Sequence, residues 1–175
     1  MDTKLKADIA ESAVTTELLK RGFKVLKPVG DRLPYDLALD LDGKLLRIQV
    51  KSAWFDTSDG AYLVDSRRTK TNRRRMLRQK YCCDDFDFAV LYIQELHVFY
   101  IMPFVAFDAY KSNISLVETE KRQRQPKSLE YRERWDLLSK WASQPEMVER
   151  KSVKFGEPLT GNTEPSPPII NGGKV

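Results

Sequence analysis

The sequence has few of the residues that build disulfide frameworks and transition-metal sites. It contains one histidine and two cysteines, and the two cysteines, Cys82 and Cys83, are adjacent. Two neighbouring cysteines are too few for a disulfide framework or a cysteine zinc site. His97 has no histidine or cysteine partner at ligand spacing, so we interpret it as a structural residue.

Long apolar runs are also missing. No stretch approaches the ~18 consecutive apolar residues that a membrane-spanning helix needs, and the amino terminus, MDTKLKADIAESAV, lacks the apolar region of a signal peptide. The chain of 175 residues is near the size of one domain, and 41% apolar residues are enough to form a hydrophobic core. We therefore expect a soluble protein of the reducing cytoplasm with no membrane partner.

Positive charge is concentrated in one segment. The formal net charge is +5, from 30 basic and 25 acidic residues. The stretch RRTKTNRRRMLRQK, residues 67–80, contains eight basic residues and no acidic residue, which leaves a net charge of −3 for the rest of the chain. A basic cluster of this density is typical of a surface that docks on nucleic acid.

This basic segment predicts both phosphate binding and base reading. Arginine presents planar donors that suit phosphates and guanine edges, and short polar side chains also contact base edges. The segment can be a helix from Asn72 to Lys80, with Arg75 and Arg78 together, or a β-ribbon or loop that pairs Arg73 with Arg75. A solvated basic loop that binds any polyanion is the alternative. The predicted DNA-binding residues are Arg67, Arg68, Lys70, Thr71, Asn72, Arg73, Arg74, Arg75, Arg78 and Lys80.

Apolar periodicity predicts a chain that begins with a helix and continues with strands. Residues 3–21 carry apolar side chains at spacings of three and four, which is typical of an amphipathic helix, and Asp42-Gly43 is typical of a hairpin turn. The predicted strands are residues 23–28, 37–41, 44–55, 61–64, 86–93 and 97–102, and a closing helix is predicted at 129–142. We expect one domain over residues 1–150 and an extended tail over 151–175, since eight of the last 20 residues are Gly or Pro.

Three polar residues on the predicted hairpin form the first candidate site. Asp36 begins one strand, and Gln49 and Lys51 share a face near the end of the next, because side chains alternate along a strand. A hairpin brings the start of its first strand beside the end of its second. Hydrolysis of a phosphodiester needs such a set, with an acidic ligand for Mg²⁺ and a cation near the attacking water or the phosphate. Solvated residues on an exposed sheet face are the alternative.

Glu11 adds a second carboxylate to this site. On the predicted first helix it lies beside the apolar stripe of Ala7, Val14 and Leu18, so its side chain can reach the sheet next to Asp36. An ordinary exposed helix glutamate is the alternative interpretation.

The order of these features resembles the PD-(D/E)XK nuclease superfamily. A helix with Glu11 precedes Pro34-Tyr35-Asp36, a hairpin and Gln49-Val50-Lys51. With QVKSAWF, RRTKTNRRR and FDFAVLYI included, the chain is similar to the homing endonucleases encoded by cyanobacterial group I introns. The resemblance implies an α/β (α+β) fold with a restriction-endonuclease-like core. In such a core a mixed sheet is flanked by helices, and here the basic DNA-binding segment is inserted into it.

The resemblance also implies roles for the candidate residues. Glu11 and Asp36 would be metal-binding carboxylates, and Lys51 would be the motif lysine. Gln49 departs from the usual Asp or Glu of the superfamily and adds no negative charge. Glu11 would then supply the second carboxylate, and the backbone carbonyl of Val50 would complete the ligands of Mg²⁺ (or Mn²⁺). Lys51 could have a lowered pKa near the metal, or could stay charged and hold the scissile phosphate.

We therefore expect a Mg²⁺-dependent, sequence-specific endonuclease that cleaves double-stranded DNA, most simply a homing endonuclease. Breaking both strands needs two related sites, which predicts at least a homodimer and allows a tetramer. A Holliday-junction resolvase, a restriction endonuclease of the same fold and a basic DNA-binding module without catalytic activity are the alternatives. The long arginine run favours a sequence reader over a shape-reading resolvase.

Overall fold

The structure is a computed structural model that describes residues 2–30, 32–72, 75–118 and 126–143, with the backbone alone for 69–72 and 75–77. These residues belong to one compact unit, Met1–Gln144. The predicted domain boundary at residue 150 and the predicted tail lie outside the described residues, so both stay predictions. Within the described ranges, no helix is long and apolar enough to cross a membrane.

Within the described residues, three α-helices, one 3-10 helix and ten strands form the scaffold. The helices are α1 (Thr3–Lys20), α2 (Phe104–Asp108) and α3 (Asp136–Ala142), and a 3-10 helix spans Lys127–Tyr131. The first strands are β1 (Lys24–Leu26), β2 (Leu37–Leu41), β3 (Lys44–Ser52), β4 (Trp54–Asp56) and β5 (Ala61–Asp65). The remaining strands are β6 (Arg68–Asn72), β7 (Arg75–Gln79), β8 (Phe88–Ile93), β9 (Val98–Pro103) and β10 (Asn113–Leu116).

Helix α1 follows from the pattern of its sequence. Asp2 caps the helix, since its Oδ1 accepts a hydrogen bond from the backbone N–H of Lys4 at 3.2 Å. After the helix, Gly22 has a φ of +81°, which glycine adopts without steric cost. The helix buries residues spaced by four, namely Ala10, Val14 and Leu18. The helix predicted at 3–21 is thus confirmed.

The central layer is a five-stranded mixed sheet with the order β1-β2-β3-β8-β9. β3 and β8 are parallel, with Ile48 beside Phe88, and the other neighbouring strands are antiparallel. Helices α1 and α3 pack on one face, where Val14 and Leu138 join the buried residues of the sheet. All six residues of β8 are buried, as a strand covered on both faces requires. The predicted mixed sheet flanked by helices is therefore confirmed.

A long excursion leaves the sheet after β3 and returns at β8. It contains β4 and β5, which form a second sheet with β10 in the order β10-β5-β4, and the antiparallel ribbon of β6 and β7. The second sheet packs on the other face of the central sheet through a cluster that includes Phe86, Tyr100 and Phe107. The predicted run 44–55 is therefore divided at Ala53, and the strand predicted at 61–64 is observed as β5.

The helix predicted from Asn72 to Lys80 is wrong, and the ribbon alternative is correct. Cross-strand pairing runs from Arg68 opposite Gln79 to Asn72 opposite Arg75. A helix and a hairpin both pair the backbone N–H and C=O groups of this segment, and here the cross-strand contacts of the hairpin outweigh the helix propensity of the basic residues. The predicted partner of Arg75, Arg73, lies outside the described residues together with Arg74.

The helix predicted at 129–142 is wrong in its first half. A 3-10 turn ends at Tyr131, and α3 begins only at Asp136. Between them Glu133 has a φ of +54°, because both its backbone and its side chain bind the backbone of Phe99. The Glu133 N–H donates to the carbonyl of Phe99 at 2.8 Å, and Oε1 of Glu133 accepts from the N–H of Phe99 at 2.8 Å. This docking interrupts the helix.

A buried carboxylate stabilises the pairing of the parallel strands β3 and β8. Oδ2 of Asp87 accepts hydrogen bonds from the backbone N–H of Arg47 at 2.7 Å and from its Nε at 3.2 Å. The Asp87 side chain is only 2% exposed. Removing one partner of a buried ion pair leaves the other charge without compensation, which is strongly destabilising.

Asp87→Ala is therefore expected to lower the free energy of unfolding by about 3 kcal/mol, measured by urea denaturation. Asp108→Ala is the matched control, since Asp108 pairs with Lys80 at 3.5 Å and its side chain is 48% exposed. The control should lose about 1 kcal/mol or less. Equal losses for the two variants would contradict the role given to Asp87.

Candidate active site

A cleft of about 580 Å³ lies where α1, the end of β3 and the base of the ribbon meet. The four candidate catalytic residues line it together with the first two residues of the basic segment. These residues are Glu11, Asp36, Gln49, Lys51, Arg67 and Arg68. Val50, Asp65 and Tyr81 also line the cleft. Among the residues named, the structure thus brings together side chains that are up to 70 positions apart in the sequence, Glu11 and Tyr81.

Asp36 is held at the start of β2 by the hairpin register. Its backbone N–H donates to the carbonyl of Ile48 at 2.9 Å, and its Oδ2 accepts from the N–H of Val50 at 2.7 Å and from Nε2 of Gln49 at 2.5 Å. Burial raises the pKa of Asp36 to about 6, against the lowering effect of the hydrogen bond from Val50, and the nearby Glu11 raises it further. The site therefore holds a carboxylate whose charge is costly without a cation.

Lys51 connects the cleft to the ribbon. Its Nζ donates to the backbone carbonyl of Arg67 at 3.1 Å and lies 4.9 Å from the ring centroid of Tyr81. Burial lowers the pKa of Lys51 to about 8, although Asp36 and Asp65 act in the opposite direction. A lysine with this pKa is partly neutral in mildly alkaline solution, so it can exchange a proton with water as well as bind a phosphate.

Glu11 is positioned by α1 and paired with a lysine from the sheet edge. It follows the buried Ala10, and its side chain is 24% exposed. Its Oε2 lies 3.0 Å from Nζ of Lys27, which comes directly after β1. The first helix therefore delivers a carboxylate to the cleft, as its place beside the apolar stripe predicted.

Asp65 is a third carboxylate in the cleft, and the sequence interpretation missed it. Its Oδ1 accepts from Nε of Arg67 at 2.9 Å, and its Oδ2 lies 3.6 Å from Nη1 of Arg78. Asp65 therefore contacts Arg67, which directly precedes β6, and Arg78, which belongs to β7. Both arginines lie at the base of the ribbon. The position of Asp65 as the last acidic residue before the basic segment, in the run VDSRR, was the available signal. Lys27 was also missed.

The predicted DNA-binding residues are distributed along the ribbon. Arg67 and Arg68 line the cleft, while Arg78 and Lys80 are exposed. Nζ of Lys80 lies 3.5 Å from Oδ1 of Asp108. The backbones of Lys70, Thr71, Asn72 and Arg75 lie in the paired part of the ribbon.

The oxygen atoms of the cleft suit a hard divalent cation. Oδ2 of Asp36 and the carbonyl of Val50 face one point, because Nε2 of Gln49 lies 2.5 Å from the former and 3.1 Å from the latter. Carboxylate and carbonyl oxygens are the ligands that Mg²⁺ and Mn²⁺ prefer. In the part of the chain that the structure describes, no three Asp, Glu, His or Cys side chains converge as a metal site. A bound cation would therefore depend on Glu11, Asp36 and neutral oxygens.

Comparison with known proteins agrees with this geometry. Residues 1–138 match the family model of the PD-(D/E)XK endonucleases. The chain belongs to this family. It is 51% identical to a bacterial homing endonuclease, I-Ssp6803I, with a TM-score of 0.77 over 83% of this chain and 99% of that chain. Another solved structure, MepB, is 13% identical with a TM-score of 0.40, over 75% of this chain and 92% of that chain, and no curated protein matches the chain significantly.

The predicted family and enzyme class are therefore confirmed. The protein is a PD-(D/E)XK endonuclease, a hydrolase that acts on DNA, and nucleases of this family generally use divalent metal ions. Its PD-(D/E)XK motif departs from the pattern at Gln49 and at Tyr35, which stands between Pro34 and Asp36. Tyr35 is half-buried against the hydrophobic cluster that includes Phe86, Tyr100 and Phe107, so this additional residue is anchored in the fold.

Asp36→Asn is expected to raise the free energy of unfolding at pH 7.5, by up to about 3 kcal/mol. Asparagine keeps an oxygen for the N–H groups of Gln49 and Val50 but has no charge to bury. Because the pKa of Asp36 is raised in the folded protein, the wild type gains stability as the pH falls from above 6 toward 3.8. The advantage of the variant should therefore shrink over that range, measured by urea denaturation in EDTA.

The same substitution at Asp136 is the matched control. Hydrogen bonds from Arg134 and Lys140 lower the pKa of this exposed carboxyl. Asp136→Asn should therefore reduce stability at neutral pH, and this loss should disappear in acid. The same pH dependence for both variants would contradict the cost assigned to the charge of Asp36.

Proposed function

We propose that the protein is a Mg²⁺-dependent, sequence-specific endonuclease that cleaves both strands of DNA, and that it serves as an intron-encoded homing endonuclease. The observation that carries the proposal is the contact between the candidate catalytic lysine and the basic ribbon. Nζ of Lys51 donates to the carbonyl of Arg67, the first residue of the basic segment. The hydrolytic cleft and the surface proposed to grip DNA therefore share one hydrogen bond. The 51% identity to a bacterial homing endonuclease supports the homing role.

The cleft residues divide the chemistry between them. Glu11, Asp36 and the carbonyl of Val50 would hold Mg²⁺ (or Mn²⁺), which when bound stabilises the negative charge that develops on the phosphate. Lys51 orients the attacking water or holds the scissile phosphate, and it can release a proton because its pKa is lowered to about 8. Gln49 assists by binding Asp36. Asp36 and Lys51 are only partly exposed to solvent, which strengthens each of these interactions.

The ribbon is proposed to enter the major groove. A two-stranded antiparallel ribbon fits that groove, where bases present distinct patterns of donors and acceptors. Cross-strand partners share a face, and so do alternate residues of one strand. One face therefore contains Arg68, Lys70, Asn72, Arg75, Leu77 and Gln79, and the other contains Thr69, Thr71, Met76 and Arg78. We assign base reading to the first face, since it has more long donor side chains.

The active enzyme is proposed to be at least a homodimer, with a tetramer as the larger option. The described part of one chain offers one cleft with this set of residues, and cleavage of two antiparallel strands is most simply performed by two such clefts related by a two-fold axis. A pseudo-palindromic target would match that symmetry. Light scattering that finds a monomer, both free and on DNA, would contradict this proposal.

Lys51→Ala and Asp36→Ala are each expected to slow cleavage by roughly 100-fold or more, while DNA affinity stays within a few-fold of wild type. Neither residue belongs to the basic segment. Lys140→Ala is the control, since Lys140 is an exposed lysine paired with Asp136, and it should cleave at the wild-type rate. EDTA should abolish cleavage by the wild type. Undiminished cleavage by either cleft variant would remove that residue from the active site.

The substrates in this assay also separate the candidate functions. Discrete linear products from a library of plasmid inserts indicate an endonuclease with its own target sequence. Symmetric nicks in a synthetic four-way junction would indicate a resolvase instead. Binding without any product, with Mg²⁺ or Mn²⁺ present, would indicate a DNA-binding module and overturn the proposed activity.

Arg75→Ala and Arg78→Ala are expected to have different effects on DNA binding, because they lie on opposite faces of the ribbon. The first should lose ~1–3 kcal/mol of discrimination at one base pair. The second should weaken binding to all sequences alike and reduce the slope of log affinity against log salt by at most about 0.9. Binding is measured on target and scrambled duplex at two salt concentrations, with Arg134→Ala as the control. Equal losses on both duplexes for both ribbon variants would mean that sequence is read elsewhere.

A further inference from the structure

Both carboxylates proposed as metal ligands already have partners that donate hydrogen bonds. Nε2 of Gln49 lies 2.5 Å from Oδ2 of Asp36, and Nζ of Lys27 lies 3.0 Å from Oε2 of Glu11. An amide NH₂ group and an ammonium group use the same oxygen lone pairs that a metal ion would use. Neither nitrogen can itself coordinate a cation while it donates these bonds.

The orientation of the Gln49 amide follows from its surroundings. Its nitrogen lies 3.1 Å from the carbonyl of Val50 as well as close to Asp36. A backbone carbonyl can only accept, and an ionised carboxylate can only accept, so a donor must stand between them. The amide nitrogen therefore occupies the point at which the Asp36 and Val50 oxygens converge.

From these contacts we infer that Gln49 and Lys27 act as stand-ins for the divalent cation in the metal-free protein, and that the cation must displace both to bind. This inference rests on the proposed metal site of the nuclease. Rotation of the Gln49 amide by half a turn would move its nitrogen away and present Oε1 in its place, with little movement of the rest of the side chain. Lys27, which is 63% exposed, can swing into solvent.

These contacts also explain why the motif has Gln49 in place of the usual Asp or Glu. A glutamate there would place another negative charge beside Asp36 and Glu11, and it would leave the carbonyl of Val50 without its donor. Repulsion between the carboxylates would be large in a buried site when no cation is bound. Glutamine therefore lowers the affinity for the metal. In return, the oxygens of Asp36 and Val50 have a hydrogen-bond donor when no metal is bound.

Lys27→Met tests the first stand-in by Mn²⁺ titration without DNA, with free Mn²⁺ read by electron paramagnetic resonance. We expect Mn²⁺ binding to tighten about threefold to fivefold, as the loss of one partly exposed ion pair allows. Lys6→Met is the matched control, since Lys6 lines the same cleft and carries the same charge but is not the lysine at Glu11. The control should change affinity by less than about twofold. Equal tightening in both variants, or none in Lys27→Met, overturns the role of Lys27.

The side-chain amide of Gln49 reports the second stand-in directly by nuclear magnetic resonance. In the metal-free protein we expect its two NH₂ protons to exchange slowly with water, because both are hydrogen-bonded, one to Asp36 and the other to the carbonyl of Val50. Saturating Mg²⁺ should shift both resonances and speed their exchange. Gln49→Glu should bind Mn²⁺ at least about tenfold tighter and should unfold at a lower temperature in EDTA. Unchanged Gln49 resonances in a protein that binds Mn²⁺ overturn this role, whereas a protein that satisfies these tests but cleaves no DNA refutes the proposed function alone.

Discussion

Burial of the Asp36 carboxylate is the constraint around which the cleft is arranged. A charged oxygen in apolar surroundings is stable only when donors or cations compensate it. The β2–β3 register supplies the first donor, since Val50 offers its backbone N–H to this side chain where the ladder would otherwise use a backbone acceptor. Gln49 supplies the second donor, and Lys51 supplies a nearby positive charge. The positions of Gln49, Val50 and Lys51 thus compensate the cost of one charge, whereas Glu11 adds to it.

The compensation extends from the cleft into the ribbon. Lys51 is held by the carbonyl of Arg67, and Arg67 is held in turn by Asp65, which also attracts Arg78. One hydrogen bond to a backbone carbonyl and two ion pairs therefore connect the sheet to the base of both ribbon strands. Since partly buried pairs are screened less than exposed pairs, these contacts fix the base of the ribbon relative to Lys51 more firmly than surface ion pairs would.

Sequence patterns predicted the parts of the molecule that depend on local periodicity. The stripe of α1, the Asp42-Gly43 turn and the alternation of β3 were sufficient to bring Glu11 and Lys51 to one place. The sequence did not distinguish a helix from a ribbon in the basic segment. Its arginines, lysines and leucine favour a helix locally, and only cross-strand pairing selects a strand. The role of Asp65 and the break at Glu133 were also hidden. Both depend on residues that are distant in the sequence or on backbone atoms. Such contacts do not change the periodicity of the apolar residues.

The parallel pairing of β3 with β8 determines the order in which the enzyme can assemble during synthesis. The strand β3, which carries Gln49 and Lys51, can pair with β8 only after the whole excursion with the ribbon has been made, so this part of the sheet forms in a non-local and slow event. The excursion leaves the sheet at Ser52, beside Tyr92, and returns at Phe88, beside Ile48, so its ends are separated by the length of the parallel pair. Closure entropy grows slowly with loop length once this span is bridged, so the excursion can lengthen at small entropic cost. The ribbon can therefore change in length while the register of β3 with β8 is preserved.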